Sequence, residues 1–129
     1  MKKYKVKNLI GAKLDAAVAK AEGKKYGFGS MRGAPGEIMC FIEAPVQRYS
    51  QTPYWFAPST LWSHGGPIIE RERVVLVYAD HWRDFKGWMA FDYTCFEHVF
   101  TPTKGEDETP LIAAMRAFVA IKLGDEVEL

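Results

Sequence analysis

The stretch TPLIAAMRAFVAIKLG, residues 109–124, carries the strongest helix signal in the chain. The hydroxyl of Thr109 can cap the first turn, and Pro110 suits the first helical position, where its missing N–H is not needed. Gly124 is typical of the residue just past a helix end. The apolar side chains recur at helical spacing and form one face: Leu111, Ile112, Met115, Phe118 and Val119. The stretch therefore predicts an amphipathic C-terminal helix.

A second amphipathic helix is predicted near the start of the chain. Asn8 can act as its N-cap, the helix runs to about Glu22, and Gly23 is a natural stop. The side chains that recur on its apolar face are Ile10, Leu14, Ala17, Val18 and Ala21. One side of this helix is therefore expected to pack on a sheet.

The first part of the region between the helices is rich in glycine and aromatic residues. Residues 24–36 predict a loop, whereas the apolar run 37–43 predicts a strand that residues 46–49 continue after a proline. Residues 51–58 predict an aromatic, turn-rich segment. A single helical turn is expected to start at Ser59 or Thr60 and to end at the glycine pair 65–66.

Two longer strands follow the glycine pair. Residues 67–78 and 87–96 both show partial alternation of apolar and polar side chains, and the polar residues 80–86 between them predict a turn. The two strands therefore predict a β-hairpin.

These elements predict an α+β fold in a single domain, residues 1–129. A mainly antiparallel sheet of three to five strands would carry the N-terminal and the C-terminal amphipathic helix on one face. The other face would be either solvated or buried in an oligomer, and the many aromatic side chains on the strands favour a homo-oligomer.

Composition excludes several classes of protein. The formal net charge of +1 disfavours broad nucleic-acid binding, and no run approaches the length of a membrane span. Cys40 and Cys95 lack metal or redox spacing and predict buried free thiols in a reducing cytoplasm. The start is lysine-rich and the end is acidic, which predicts either two solvated termini lying close together or a basic arm for an anionic partner.

The segment 57–71 is the predicted binding site, because it combines hydroxyls, an indole, two glycines and a charged pair. The hydroxyls at a helix start favour an anion, the indole can stack on a planar group, and the glycines let a ligand approach the backbone. The proposed ligand-binding residues, including one tryptophan of the hairpin, are Ser59, Thr60, Trp62, Ser63, Gly65, Gly66, Glu70, Arg71 and Trp88. The alternative is a capped turn, a glycine stop and a surface ion pair around a core tryptophan.

No catalytic or metal site is predicted. Ser63 and His64 are adjacent but lack a nucleophile-elbow pattern, although Asp80 or Asp92 could complete a triad. The three histidines and Cys95 could meet at a metal, but they lack the short spacing of metal ligands apart from one C-x-x-H pair. The glycine run 27–33 and its neighbouring cations could contact phosphate but do not match a phosphate-binding motif. A ring of the hairpin, such as Trp82 or Trp88, could act as a stacking platform or as core.

Three blocks of the sequence resemble the NinX-like family, small accessory proteins of tailed phages and prophages. They are LDAAVAKAEG at residues 14–23, PST-WS with GGPIIERE at residues 58–72, and the run from Thr109 to Asp125. The family is a domain of unknown function, so the resemblance implies no catalytic residues. It does imply expression in the host bacterial cytoplasm during infection and an accessory role.

The expected function is therefore non-enzymatic binding without a cofactor. The leading hypothesis is a small anionic, nucleotide-like ligand, such as a signal made by a host defence system, which the protein would sequester. The first alternative is a protein-interaction module that inhibits or redirects a host enzyme. A small hydrolase and a nucleic-acid binder are the remaining hypotheses.

Overall fold

The computed structural model describes residues 2–30, 37–43, 54–82, 85–93, 99–100 and 109–129, which form an α+β fold with three helices. The helices are α1 Gly11–Ala21, α2 Trp62–Glu72 and α3 Pro110–Leu123, with a single 3-10 turn at Val6–Asn8. The strands are β1 Lys3–Lys5, β2 Tyr26–Gly29, β3 Met39–Ile42, β4 Tyr54–Trp55, β5 Val74–Trp82, β6 Phe85–Asp92, β7 Val99–Phe100 and β8 Glu126–Glu128. In the described ranges, every helix is too short or too polar to cross a membrane.

Helix α3 lies at the centre of the fold. All ten residues from 111 to 120 are buried, and the helix packs against α1, α2 and strands of two sheets. The expectation of one apolar face against a sheet is therefore wrong for α3, because its neighbours enclose it on every side. Alanines make up four of those ten positions and let the neighbouring elements approach closely. Arg116 is also buried, and its Nε donates to the carbonyl oxygen of Leu9 at 2.9 Å.

Both predicted ends of α3 are confirmed. The Oγ1 of Thr109 accepts a hydrogen bond from the backbone N–H of Ile112 at 3.2 Å, with Pro110 at the first helical position. Gly124 ends the helix with a φ of 93°, a value that glycine adopts easily.

We expect Thr109→Ala to lower the free energy of unfolding by about 1 kcal/mol, because it leaves an N–H of the first turn without its cap. Thr109→Ser, which keeps the hydroxyl, should restore most of that loss. Urea unfolding of the two variants measures the difference, and equal losses would show that the hydroxyl does not act as a cap.

Helix α1 begins later than predicted. Asn8 lies in the 3-10 turn and is not the cap, since the helix starts after Ile10 with no side-chain cap. The predicted stop at Gly23 is confirmed, with a φ of 73° there and a hydrogen bond from the Lys24 N–H to the Ala19 carbonyl oxygen.

The predicted single sheet is wrong, because the described strands form three small antiparallel sheets. Their strand orders are β1-β8, β2-β3-β4 and β5-β6-β7. A helix that is apolar on every side needs covering on more than one side, and one sheet cannot provide that. The two predicted helices therefore do not lie together on one face of a common sheet.

Strand β2 lies where the sequence predicts a loop. Its residues 26–29 pair with β3, which places Gly29 opposite Met39. The ring of Phe41 would lie 3.2 Å from a Cβ built on Gly29, so the glycine leaves room for that ring on the sheet. The strand predicted at residues 37–43 is confirmed as β3, and the thiol of Cys40 is buried and free.

The predicted hairpin is confirmed, although its strands have different limits. Strands β5 and β6 pair antiparallel, with Val74 opposite Asp92 and Tyr78 opposite Trp88. Most of the residues predicted as the polar turn extend the two strands instead. The predictions for residues 46–49 and for Cys95 lie outside the described residues.

The charged ends of the chain lie side by side. Lys3 is opposite Glu128 and Lys5 is opposite Glu126 in the β1-β8 pair. Cross-strand pairs of opposite charge stabilise such a sheet. The prediction that the two ends lie close together is confirmed, and the lysines in β1 belong to a sheet rather than to a free arm.

Candidate functional site

Helix α2 forms most of the predicted site and passes straight through the expected glycine stop. It continues across Gly65, Gly66 and Pro67 to Glu72, and its C-cap is Arg73, which has a φ of 53°. The predictions of a single turn here and of a strand starting at residue 67 are therefore wrong. The reason is tertiary packing, because a Cβ on Gly65 would collide with the carbonyl oxygen of Pro58 and lie 2.7 Å from Leu111 Cδ2.

The helical period places the predicted residues of α2 on different faces. Gly65 and Ile68 face the interior and are buried. Ser63, Pro67 and Glu70 share the opposite face and are exposed. Gly65 is therefore a packing residue, whereas Ser63 and Glu70 are available to a partner.

Trp62 and Arg71 lie on different flanks of α2 and near its opposite ends. A separation of nine residues corresponds to roughly 13.5 Å along a helix axis. Gly66 lies one turn beyond Trp62 on the same flank, and no heavy atom of the described residues lies within 4 Å of a Cβ built there. Trp62 and Arg71 therefore do not converge on one small group, although Trp62 and Gly66 are neighbours.

Ser59 binds an anion that belongs to the protein itself. Its side chain is buried, and its backbone N–H donates to Oδ1 of Asp15 at 2.9 Å. Burial raises the pKa of Asp15 to about 6, although interactions with Ser59 oppose the rise. The hydroxyl of Ser59 makes no hydrogen bond of good geometry within the described ranges. The anion site predicted at this residue is thus already filled by a carboxyl of α1.

The buried carboxyl also affects a cysteine. Burial, together with the negative charge of Asp15, raises the pKa of the Cys40 thiol to about 12. A thiol with such a pKa stays protonated at neutral pH and is a poor nucleophile. Cys40 is therefore part of the packing rather than of a reactive site.

Arg71 belongs to a chain of ion pairs between the ends of the three helices. Its Nη2 lies 2.6 Å from Glu22 Oε1 and its Nε lies 3.2 Å from Glu72 Oε1. Lys24 and Lys122 extend the chain on either side. Burial alone would raise the pKa of Glu22, but Lys24 and Arg71 hold that pKa below its usual value. The guanidinium of Arg71, a predicted ligand-binding group, is thus paired with acidic residues of this chain.

The start of α2 keeps an exposed polar and aromatic surface. Trp62 retains 55% of its accessible area, and Thr60 and Ser63 are also exposed. Leu61 occupies the N-cap position without a side-chain hydrogen bond, and the first turn has no acidic residue. We call Thr60, Trp62 and Ser63 the Trp62 surface.

His64 makes contacts that the sequence did not predict. Its Nδ1 accepts a hydrogen bond from the backbone N–H of Ala57 at 3.0 Å, and its Nε2 lies 3.0 Å from the Tyr54 hydroxyl. Because an amide only donates, Nδ1 carries no proton, so the neutral ring donates through Nε2 to Tyr54. The ring stacks on Phe56, with 6.2 Å between centroids. The aromatic run at residues 54–56 was the available sequence signal.

The remaining candidates are dispersed. Trp88 is half-buried on β6 and packs edge-on against Tyr78, with 5.3 Å between ring centroids. Gly27 and Gly29 of the glycine run lie in β2, while residues 31–36 are outside the described ranges. Among the described residues, no three histidine, cysteine or acidic side chains are grouped to hold a metal.

The comparisons with known proteins identify one family. The profile described as Bacteriophage P22, NinX matches residues 5–122, which include α1, α2 and all but the last residue of α3. No curated protein matches the chain. Since the match spans most of the 129 residues, this chain belongs to the NinX family of bacteriophage P22.

Proposed function

We propose that this protein is a non-enzymatic phage accessory protein that binds a small anionic, nucleotide-like ligand at the Trp62 surface. The observation that carries the proposal is the 55% exposure of the Trp62 indole at the start of a helix. Tryptophan is usually well buried, and an exposed indole offers a broad face for stacking on a base.

The neighbours of the indole support an anionic ligand. The hydroxyls of Thr60 and Ser63 are exposed, and the positive end of the α2 dipole has no acidic side chain in the first turn. His64 is engaged through both ring nitrogens, which favours binding over acid–base chemistry at this surface. In an infected cell, sequestration of a nucleotide signal from a host defence system would suit these groups.

We expect Trp62→Ala to weaken nucleotide binding by about tenfold to a hundredfold, because stacking on an aromatic side chain contributes roughly 1–3 kcal/mol per base. Isothermal calorimetry with a panel of mono-, di- and cyclic nucleotides measures the affinity. Tyr78→Ala is the matched control, since Tyr78 is another exposed aromatic residue, on strand β5. The proposal would be excluded if calorimetry showed no heat of binding for any nucleotide and if heating the protein from infected cells released no nucleotide.

The second candidate is a module that binds and redirects a host enzyme. It is favoured by four further exposed aromatic side chains, which belong to three strands and to the residue after β6: Phe28, Tyr54, Tyr78 and Tyr93. A stoichiometric host protein that the wild type captures and Trp62→Ala loses would support this candidate over the nucleotide. Light scattering on the purified protein separates such a partner from a second copy of the chain, which the sequence also predicts.

A further inference from the structure

One side chain of α2, that of His64, contacts the segment from Tyr54 to Ala57 at three points. His64 accepts the Ala57 N–H at 3.0 Å, lies 3.0 Å from the Tyr54 hydroxyl and stacks on the ring between them, that of Phe56. Strand β4, which contains Tyr54 and Trp55, is the edge strand of its described sheet. The contacts of the Tyr54 hydroxyl and of the Ala57 N–H with α2 therefore depend on the state of one imidazole.

Protonation is incompatible with this arrangement. A protonated imidazole carries an N–H at both nitrogens, so Nδ1–H would point at the N–H of Ala57. The ring would have to turn away, and the bond to Tyr54 would be lost with it. The Phe56 ring already has the Lys24 ammonium 5.1 Å from its centre, so a second cation on that ring is disfavoured.

The described charged groups on this side of α2 are two cations and their acidic partner. Lys24 lies near Phe56, and Arg71 lies two turns further along the same flank of α2. Glu22 pairs with both cations and partly offsets them. Tyr54 is the titratable group that faces the ring from β4, and Asp15 binds the chain two residues beyond Ala57. Burial lowers the pKa of His64 below its usual 6.5.

We propose that His64 is an acid-sensitive latch whose neutral ring binds the Ala57 N–H and the Tyr54 hydroxyl and releases both groups when it is protonated. The latch is closed at neutral pH and opens as the pH falls below the ordinary range for histidine. Opening frees the Tyr54 hydroxyl and the Ala57 N–H for other contacts. This inference does not depend on the identity of any ligand at the Trp62 surface.

Amide exchange read by NMR tests the latch on the whole protein. After correction for intrinsic rates, we expect protection of the Ala57 N–H to fall at least tenfold between about pH 7.5 and about pH 5. The N–H of Ala113, which binds the Thr109 carbonyl in α3, is the reference and should stay protected. Unchanged protection at Ala57, or an equal loss at Ala113, would overturn the proposal, since the second result means global unfolding.

A variant and a spectrum complete the test. Asn at position 64 places an oxygen where Nδ1 lies and cannot be protonated in this range. His64→Asn should therefore keep Ala57 protected at both pH values, and a loss matching the wild type would refute the latch. Ring nitrogen shifts of the wild type at neutral pH should show a proton on Nε2 alone. A proton on Nδ1 would refute the latch even if the variant fails to fold.

Discussion

Gly65→Ala is expected to lower the free energy of unfolding by about 3 kcal/mol, because overpacking against rigid neighbours costs about 1–3 kcal/mol and a backbone atom cannot rotate away. The added methyl group would collide with the carbonyl oxygen of Pro58 and press on Leu111. Helix α2 would have to move away from both the preceding turn and α3.

The neighbouring glycine is the matched control. A Cβ at Gly66 meets no described heavy atom within 4 Å, and alanine favours a helix over glycine by about 0.5–1 kcal/mol. Gly66→Ala should therefore stabilise the protein. Urea unfolding followed by circular dichroism measures both variants. Equal stability of the two would show that Gly65 is not closely packed.

Asp15→Asn is expected to raise the free energy of unfolding at pH 7 by up to about 3 kcal/mol. Burial raises the pKa of Asp15 from 3.8 to about 6, and each unit corresponds to about 1.4 kcal/mol. An asparagine oxygen can still accept the Ser59 N–H, and its amide can donate to the Ser59 hydroxyl. The variant thus keeps the contact and removes the buried charge.

The sign of the pH dependence follows from the raised pKa. The folded protein binds the proton more tightly than the unfolded chain, so the stabilisation is complete below pH 3.8 and is lost as the pH rises through about 6. His64 acts in the opposite direction, because its pKa is lowered and stability is lost as the pH falls below 6.5. Subtracting the wild-type free energy of unfolding from that of Asp15→Asn at each pH isolates the contribution of Asp15. A difference that stays constant from pH 4 to pH 7 would contradict the assignment.

The sequence predicted the elements whose ends are set by local chemistry. Thr109, Pro110 and Gly124 act within one or two turns of α3, so its limits could be read directly. The same local rules fail in α2, because Gly65 is selected by contact with Pro58 and Leu111 rather than by the backbone. The local rules also fail in β2, where a glycine makes room for an aromatic ring of the neighbouring strand.

The candidate site was predictable in position but not in its partners. The sequence indicated a helix start at Ser59 or Thr60, and in the structure the exposed indole of Trp62 occupies the first position of α2. The carboxyl that occupies the Ser59 N–H lies 44 residues earlier in the chain, and no local pattern connects the two. Arg71 is likewise committed to Glu22, 49 residues away. Contacts of this range depend on how the layers meet around α3.

The central position of α3 has a consequence for synthesis of the protein. The helix is the last of the three to leave the ribosome, yet α1, α2 and the β5–β6 hairpin all pack against it. Until residues 110–123 emerge, the earlier elements have no common core to bury, and their apolar faces remain open to chaperones and to proteases. We therefore expect assembly of the native state to be a late event that awaits one short segment.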